Sequence, residues 1–587
     1  MRQYFEKMDP LGSPLSETQI ESMRGNCAKI EEIMQTIDAE VKRIKNVGVP
    51  LSKLNERGEM SVWQRIEYLV DPGTFCPLHS IFDPQNEESG STGVVDGLAR
   101  INGKWCVLAG FNNKWMAGAW IAGQAENNLR VTDMAKILRV PLVWLVNCSG
   151  VKLTEQEKVY AGKRGQGACF YRHAELEIMG NPVIAGIYGT NPAGGGYQSV
   201  SPVILLAHRK ANMAVGGGGI LSGIHPAGTY NETRAEEIIN ATRHFKSVPP
   251  GSVKIHYDVT GFFRAVFDKE KQVLDAIRDY MDDLPAYKPR FFRVAEPAWP
   301  KYPSSEIASI VPVDQKSVYD FEQVLARLVD CSEHMEFCPE FGPEVYTGLV
   351  RIDGYLMAVI GNRQGNFTEY PEYTKAYEGT GGRLYRQGLI KMSEFIALCS
   401  RDKIPVIWIQ DTSGIDVGDD AEKAELLGLG QSLIYSIENS KLAMMLVVLR
   451  KGSVAGYYVM GGPVANNNNA FSLGTAATEI NVMHGETAAA ATYARRLVKD
   501  KDEGRPLQPT IEKMNQMVKH YDDTSNPMYC AKKGFVDEVI RYDELRRYLV
   551  GFANCVYQNP CAICPQHHMI LPRMIRSQIV KGQQRNR

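Results

Sequence analysis

The sequence predicts an α/β protein built from two tandem copies of one mostly parallel-sheet domain, preceded by an N-terminal helical extension. Three observations predict it. Short apolar runs alternate with stretches of helical period, a pattern that requires strand–helix crossovers and hence parallel strands. The chain has 587 residues, enough for two large domains. Landmarks of the first half also return in the same order in the second.

Taken in order, residues 15–47 carry Ile20, Met23, Ile30, Ile33, Met34, Ile37, Val41 and Ile44 at three- and four-residue spacing, which predicts helices ended by Pro50. In the first half Trp105–Phe111, Leu142–Val146 and Val183–Tyr188 read as buried strands, and Ala122–Leu138 and Glu155–Met179 as helices. Pro285, Pro289, Pro297, Pro300, Pro303 and Pro312 then crowd a segment that resists helix and central strand alike. That break gives expected domains of 1–300 and 301–587. Pro141-Leu-Val-Trp-Leu-Val-Asn-Cys-Ser-Gly-Val151 matches Pro405-Val-Ile-Trp-Ile-Gln-Asp-Thr-Ser-Gly-Ile415 without a gap, at an offset of 264 (405 − 141). Arg100-Ile-Asn-Gly103 returns as Arg351-Ile-Asp-Gly354, and the small-residue turn before Tyr197 answers one before Tyr457, at an offset of 260 (457 − 197). The order of the three matches points to a duplication.

Composition narrows the function classes. Apolar residues are 44%, charged residues 23% and the formal net charge is -1, so no nucleic acid, anionic membrane surface or polyanion is expected as partner. Twelve cysteines are scattered without the spacing of a disulfide framework, which fits a reducing compartment. The N-terminus lacks the apolar core of a signal peptide, and the longest apolar run, Leu442–Leu449, is too short to span a bilayer. A soluble, cytoplasmic chain is expected, held at any membrane by other chains.

Strands of a parallel sheet present ligands at their carboxyl ends, where Ser149-Gly150-Val151 and Gly194-Gly195-Gly196 fall. Glycine lets the backbone approach a ligand closely, and amides at such turns aim N–H donors at one point. Two donors suit a carbonyl oxygen that gains negative charge, an oxyanion hole. A lone turn of this kind more often serves packing; its repetition as Ser413-Gly414-Ile415 and Val454-Ala455-Gly456 favours two holes, and so two carbonyl substrates with a fragment passed between them. Other signals are weaker. Gly216–Gly219 is followed by Ile220-Leu-Ser-Gly223 rather than a phosphate-loop Lys, and reads as a flexible turn. Cys561 and Cys564, with His567 and His568, read as unpaired thiols and not as a metal site, since no second Cys pair has zinc spacing. Ser149 and Ser413 lack a nearby His and a Gly-x-Ser-x-Gly elbow, which argues against a serine hydrolase. Asn466-Asn-Asn-Asn469 reads as a solvated loop.

These turns, with Arg65-Ile-Glu-Tyr-Leu-Val-Asp-Pro-Gly-Thr-Phe75 as opening helix and Asn526-Pro-Met-Tyr-Cys-Ala-Lys-Lys-Gly-Phe-Val-Asp-Glu-Val-Ile540 as closing motif, resemble the biotin-dependent carboxyltransferases, whose domains have the crotonase-like fold of the ClpP/crotonase superfamily. The matches run from about residue 60 to 550. The family's Asp-Ser-Gly-Gly-Ala-Arg turn stands here as Asn147-Cys-Ser-Gly-Val-Lys152, and its Gly-Gly-Ala-Tyr turn as Val454-Ala-Gly-Tyr457. With the N-terminal helices and Phe111-Asn-Asn-Lys-Trp-Met-Ala-Gly-Ala119, these departures look most like the branch of the family that serves sodium-pumping decarboxylases of glutaconyl-CoA.

The resemblance implies that Val151 and Gly195, with Gly194 beside it, hold the thioester carbonyl of an acyl-CoA, and that Ile415 and Ala455, with Gly456, hold the ureido carbonyl of biotin. Lys152, at the family's Arg position, is the candidate for the substrate end. The biotin is expected on a separate carrier subunit: the nearest approach to a biotinylation site, Ile390-Lys-Met-Ser393, lies in a predicted helix, and no ATP-binding signature is present. A homodimer or higher oligomer is implied, with the working site between the first half of one copy and the second half of another, as is an integral membrane decarboxylase subunit. Three alternatives remain open: the carboxyltransferase subunit of an ATP-dependent propionyl- or acetyl-CoA carboxylase, a crotonase-type hydratase or isomerase, and a non-catalytic scaffold.

Overall fold

The computed structural model describes residues 8–200, 204–223, 230–284, 292–367 and 379–558. Pro285, Pro289, Cys561, Cys564, His567 and His568 lie outside the described residues. Contacts divide the chain into two units at 40/41, 287/288 and 554/555.

The unit of residues 41–287 carries a sheet in the order Ala265–Phe267, Ile204–His208, Val183–Ile187, Leu142–Val146, Lys104–Phe111, Val94–Ile101, Cys76–Leu78. Its strands are parallel from Ala265–Phe267 through Lys104–Phe111, and antiparallel at the last two pairings. All five residues of Leu142–Val146 are buried, which is why a run without alternation forms a central strand. The unit of residues 288–554 repeats the plan: Glu333–Glu336, Val345–Ile352 and Tyr355–Asn362 are antiparallel, and Tyr355–Asn362, Val406–Thr412, Met444–Ser453, Asn469–Gly474 and Glu538–Val539 follow in parallel. Each unit opens on the same hairpin. Asn102-Gly103 and Asp353-Gly354 are two-residue loops with φ of 50° and 79°, and 53° and 78°, closing the registers Ile101 with Lys104 and Ile352 with Tyr355. Positive φ at both loop positions is the type I′ turn that matches strand twist, and Asn-Gly and Asp-Gly supply it at least cost.

The ends of the chain are exchanged relative to the expected limits 1–300 and 301–587. The helix Arg24–Asn46 explains part of this: Asn26 Nδ2 donates to Ala308 O and Val311 O, both at 2.9 Å, and Arg541 pairs with Glu31 at 2.7 Å and Asp38 at 2.6 Å. At the other end Gln558 Nε2 donates to Trp105 O at 2.7 Å. Pro50 caps the helix Leu51–Glu56 instead of ending the one before, which stops at Asn46. The single helix expected over Glu155–Met179 is two pieces, a 3₁₀ turn Leu153–Lys158 and an α-helix Ala168–Ile178. Gly162, Gly165 and Gly167 fall between them, and Gly162 has φ 98°. Gly216–Gly219 is not a free turn either: Gly218–Gly223 is helical, and a Cβ on Gly218 would lie 2.7 Å from Phe245 Cβ.

The quartet Asn466–Asn469 is structural. Asn466 is buried, and its Nδ2 donates to Gly461 O at 3.3 Å while its Oδ1 accepts from Asn468 N at 3.0 Å; Asn468 Nδ2 donates to Ile437 O at 2.9 Å. The amides satisfy loop carbonyls and hand the chain into the strand Asn469–Gly474. The opening motif is likewise explained by packing. Arg65, fully buried, makes a two-pronged pair with Glu270 at 2.8 and 2.9 Å and lies 3.9 Å from the centre of the Tyr188 ring.

Candidate active site built from two duplicated turns

In the first unit, Trp120 forms a parallel bridge with Val151: Trp120 N donates to Gly150 O at 2.8 Å and Lys152 N donates to Trp120 O at 2.9 Å. Amides alternate sides along extended backbone, so the Val151 N–H points away from Trp120, and it finds no backbone acceptor among the described residues. Gly150, at φ 97°, makes the bend that turns it outward. The second part of the site is the start of the helix Gly194–Val200, where Tyr197 N donates to Ala193 O at 3.0 Å.

The glycines are there for closeness. A Cβ on Gly194 would lie 2.0 Å from the Trp120 ring, and one on Gly195 2.6 Å from Cys148 O. Trp120 therefore touches both parts, bridging Val151 and packing on Gly194, and brings Val151, Gly194 and Gly195 into one place. Asn191 Oδ1 accepts from Cys148 N at 2.8 Å and fixes the turn to the neighbouring strand end. The buried Cys148 thiol is pushed up to about 12 by burial, so it offers no thiolate.

The second unit reproduces this with other side chains. Leu384 pairs with Ile415 as Trp120 does with Val151, both at an offset of 264 (384 − 120 and 415 − 151). Asp416 N donates to Leu384 O at 3.0 Å, so the Ile415 N–H also points away. A Cβ on Gly456 would meet Thr412 Oγ1 at 2.7 Å and Gly414 Cα at 2.8 Å, which brings Ala455 and Gly456 against the Ile415 turn. The helix Val454–Val459 is held from behind by Gln410 Nε2, donating to Gly456 O at 3.2 Å. Tyr457 OH donates to Phe535 O at 2.9 Å, tying the closing motif to the same helix.

One register differs from expectation. Ala193 and Val454 both have positive φ, 49° and 53°, just ahead of the helix amides. The strand ends before them pair alike, Pro192 with Ala214 and Ser453 with Asn481. The offset is thus 261 (454 − 193), not the 260 of the two tyrosines, and Gly456 rather than Ala455 is the counterpart of Gly195. A β-branched residue in the left-handed region is strained, which is why no residue-type signal pointed to Val454. Trp120 was equally hidden, because Leu384 stands at its repeat position.

Lys152 does not reach out as a free cation. Its Nζ lies 2.5 Å from Glu155 Oε1 and 3.3 Å from Glu87 Oε2, and the bond to Glu155 raises its pKa above the ordinary lysine value. Lys391 is buried in the helix Arg386–Asp402, with Nζ donating to Val345 O at 2.9 Å. Among the described residues no three His, Cys, Asp or Glu side chains are placed to hold a metal, and no helix is long and apolar enough to cross a membrane.

Two turns that turn backbone amides outward have the donor type that stabilises a developing oxyanion. The carboxyl transferase domain family matches residues 53–570. The chain is 51% identical over 578 residues to the glutaconyl-CoA decarboxylase subunit alpha of Acidaminococcus fermentans, covering 98% of each chain. It is 25% identical to the biotin-dependent 3-methylcrotonyl-coenzyme A carboxylase beta1 subunit of Mycobacterium tuberculosis, over 85% of this chain and 88% of that one. Among solved structures, the beta subunit of P. aeruginosa geranyl-CoA carboxylase has the same fold, with a TM-score of 0.75 at 22% identity over 96% of this chain and 99% of the other. The chain is a member of the carboxyl transferase domain family.

Proposed function

We propose that this chain moves the carboxyl group of glutaconyl-CoA to biotin on a separate carrier subunit, giving crotonyl-CoA, as the carboxyltransferase of a sodium-translocating decarboxylase. The observation that carries the reading is the 51% identity, end to end, to a glutaconyl-CoA decarboxylase alpha subunit. The biotin-dependent 3-methylcrotonyl-coenzyme A carboxylase beta1 subunit matches at 25% and a propionyl-CoA carboxylase carboxyltransferase subunit at 23%, which sets the alternative of propionyl- or acetyl-CoA carboxylation second.

In this reading the N–H groups of Val151 and Gly195, with Gly194, hold the thioester oxygen as negative charge gathers on it and the bond to the carboxylate breaks. Those of Ile415 and Gly456, with Ala455, hold the ureido oxygen of biotin, whose ring nitrogen supplies the acceptor for the carboxyl group. The fit rests on the outward Ile415 amide and on the bare face of Gly456. Lys152 serves the substrate end, exchanging a carboxylate of this chain for one of the substrate. A homo-oligomer, a biotin carrier and an integral membrane decarboxylase subunit complete the proposal, and place the chain at the cytoplasmic face of a membrane.

The test mixes the purified chain with free biotin and glutaconyl-CoA, without ATP, and follows the acyl-CoA by mass spectrometry. Biotin-dependent crotonyl-CoA is the expected product. Untouched glutaconyl-CoA, with carboxylation of propionyl-CoA by carboxylated biotin, would transfer the assignment to the alternative.

A further inference from the structure

The two turns have the same backbone and different electrostatic backing. Behind the second turn Asp411 Oδ2 accepts from Arg450 Nε at 3.0 Å, both side chains about 1% exposed. Asp411 Oδ1 accepts from Lys451 N at 3.1 Å and lies 3.9 Å from Lys451 Nζ, which also donates to Gln315 O at 3.3 Å. The register Thr412 with Gly452 sets this trio directly behind Thr412, the residue on which Gly456 packs. The trio itself holds one carboxylate and two cations, with the Glu479 carboxylate near enough to act on both Lys451 and Arg450. Glu479, register partner of Lys451, forms no ion pair with it among the described residues.

In the first unit the corresponding positions are Asn147, Gly189 and Thr190, by the offsets 264 and 261. All are neutral: the Asn147 side chain fills the space a Gly189 Cβ would need, at 2.8 Å, and Asn212 Nδ2 donates to Thr190 Oγ1 at 3.2 Å. Burial pushes the Lys451 ammonium down from its ordinary value; Asp411 pulls it back up, Arg450 pushes it down, and Glu479 and Asp314 raise it.

We propose that Lys451 is a supporting residue for the second turn alone, its buried charge strengthening the Ile415–Gly456 hole for an oxyanion while the first hole stays neutral. The inequality has a chemical use. A conjugated acyl-CoA delocalises its own charge, whereas a ureido carbonyl resists enolisation and needs the stronger field. This inference rests on the proposed reaction, and its test separates the two.

The variants are Lys451→Thr, which copies Thr190, and Lys451→Arg, which keeps the charge. Three quantities are read with the full chain: kcat and KM for free biotin with glutaconyl-CoA, free-biotin affinity by calorimetry, and deuterium uptake from D2O at the terminal carbon of crotonyl-CoA, which needs only the first hole. Lys451→Thr is expected to lose at least about tenfold in kcat, with biotin affinity within about twofold and deuterium uptake unchanged, since charge developing only in the transition state is what the lysine favours. Lys451→Arg is expected to regain most of the rate. Wild-type kcat in Lys451→Thr, a parallel fall of deuterium uptake, or no rescue by Arg would overturn the inference and leave the reaction standing. A wild-type chain without biotin-dependent turnover would remove both.

Discussion

Replacing Gly195 by Ala tests whether the first turn works through backbone proximity. The added Cβ would lie 2.6 Å from Cys148 O and 3.1 Å from both Cys148 Cβ and Sγ. Ordinary contact begins near 3.4 Å, and a carbonyl fixed in a strand-to-helix turn cannot rotate aside, so the helix start must retreat by roughly 0.8 Å. Oxyanion donors act at 2.7–3.1 Å, and such a retreat takes one of them out of range. Loss of one donor costs roughly 10²–10³ in kcat, about 2.7–4 kcal/mol. The assay is crotonyl-CoA formation from glutaconyl-CoA with saturating free biotin, with a thermal melt of the same sample. Gly219, where a Cβ meets nothing within 4 Å, gives the control: Gly219→Ala is expected to keep full activity and to gain stability from its place in a helix. A Gly195→Ala chain within threefold of wild-type kcat would refute the reasoning.

Arg65→Met leaves the buried Glu270 carboxylate without its cation, with only the Met60 N–H still donating to it among the described hydrogen bonds, and is expected to cost about 3–5 kcal/mol, read as an earlier denaturant midpoint. Asn466→Ala removes the acceptor for Asn468 N and one of two donors to Gly461 O, the other being Asn469 Nδ2, and is expected to cost about 1–3 kcal/mol by the same measurement. His173 is held neutral, its Nε2 accepting from Trp144 Nε1 at 2.9 Å, and burial lowers it from 6.5 to about 3. The unfolded chain therefore takes the proton first: this contribution to stability is complete at pH 7, falls as pH drops below about 6.5, and reaches a loss of about 2 kcal/mol at pH 5. His173→Phe should flatten that part of a stability-against-pH curve.

The three first-half strands and both glycine turns were legible because each depends on a local property, an unbroken apolar run or a residue without Cβ; Asn102-Gly103 and Asp353-Gly354 were read as a repeat and not as the hairpin loops they form. The offset of the second turn was not, because two tyrosines lined up by identity where the backbone lines up one residue away. They do different work: Tyr457 ties its helix to Phe535 O, while Tyr197 is half exposed and lies against Phe170. The long helix over Glu155–Met179 failed for a local reason, glycine spacing, that a helical reading of the apolar residues passes over. The exchanged chain ends and the Asp411–Arg450–Lys451 trio depend on partners far apart in sequence, for which periodicity carries no signal.

Because both turns are set by backbone pairing, they keep one geometry while several side chains around them differ. Trp120 became Leu384, Cys148 became Thr412, and Asn147 became Asp411. Each exchange has a local consequence. The Trp120 ring occupies the space above Gly194, so that position admits only glycine; with Leu384 at the matched place, the second unit carries Ala455. The same reasoning bears on the altered motif Asn147-Cys-Ser-Gly-Val-Lys152. It changes side chains and leaves the Val151 amide pointing outward.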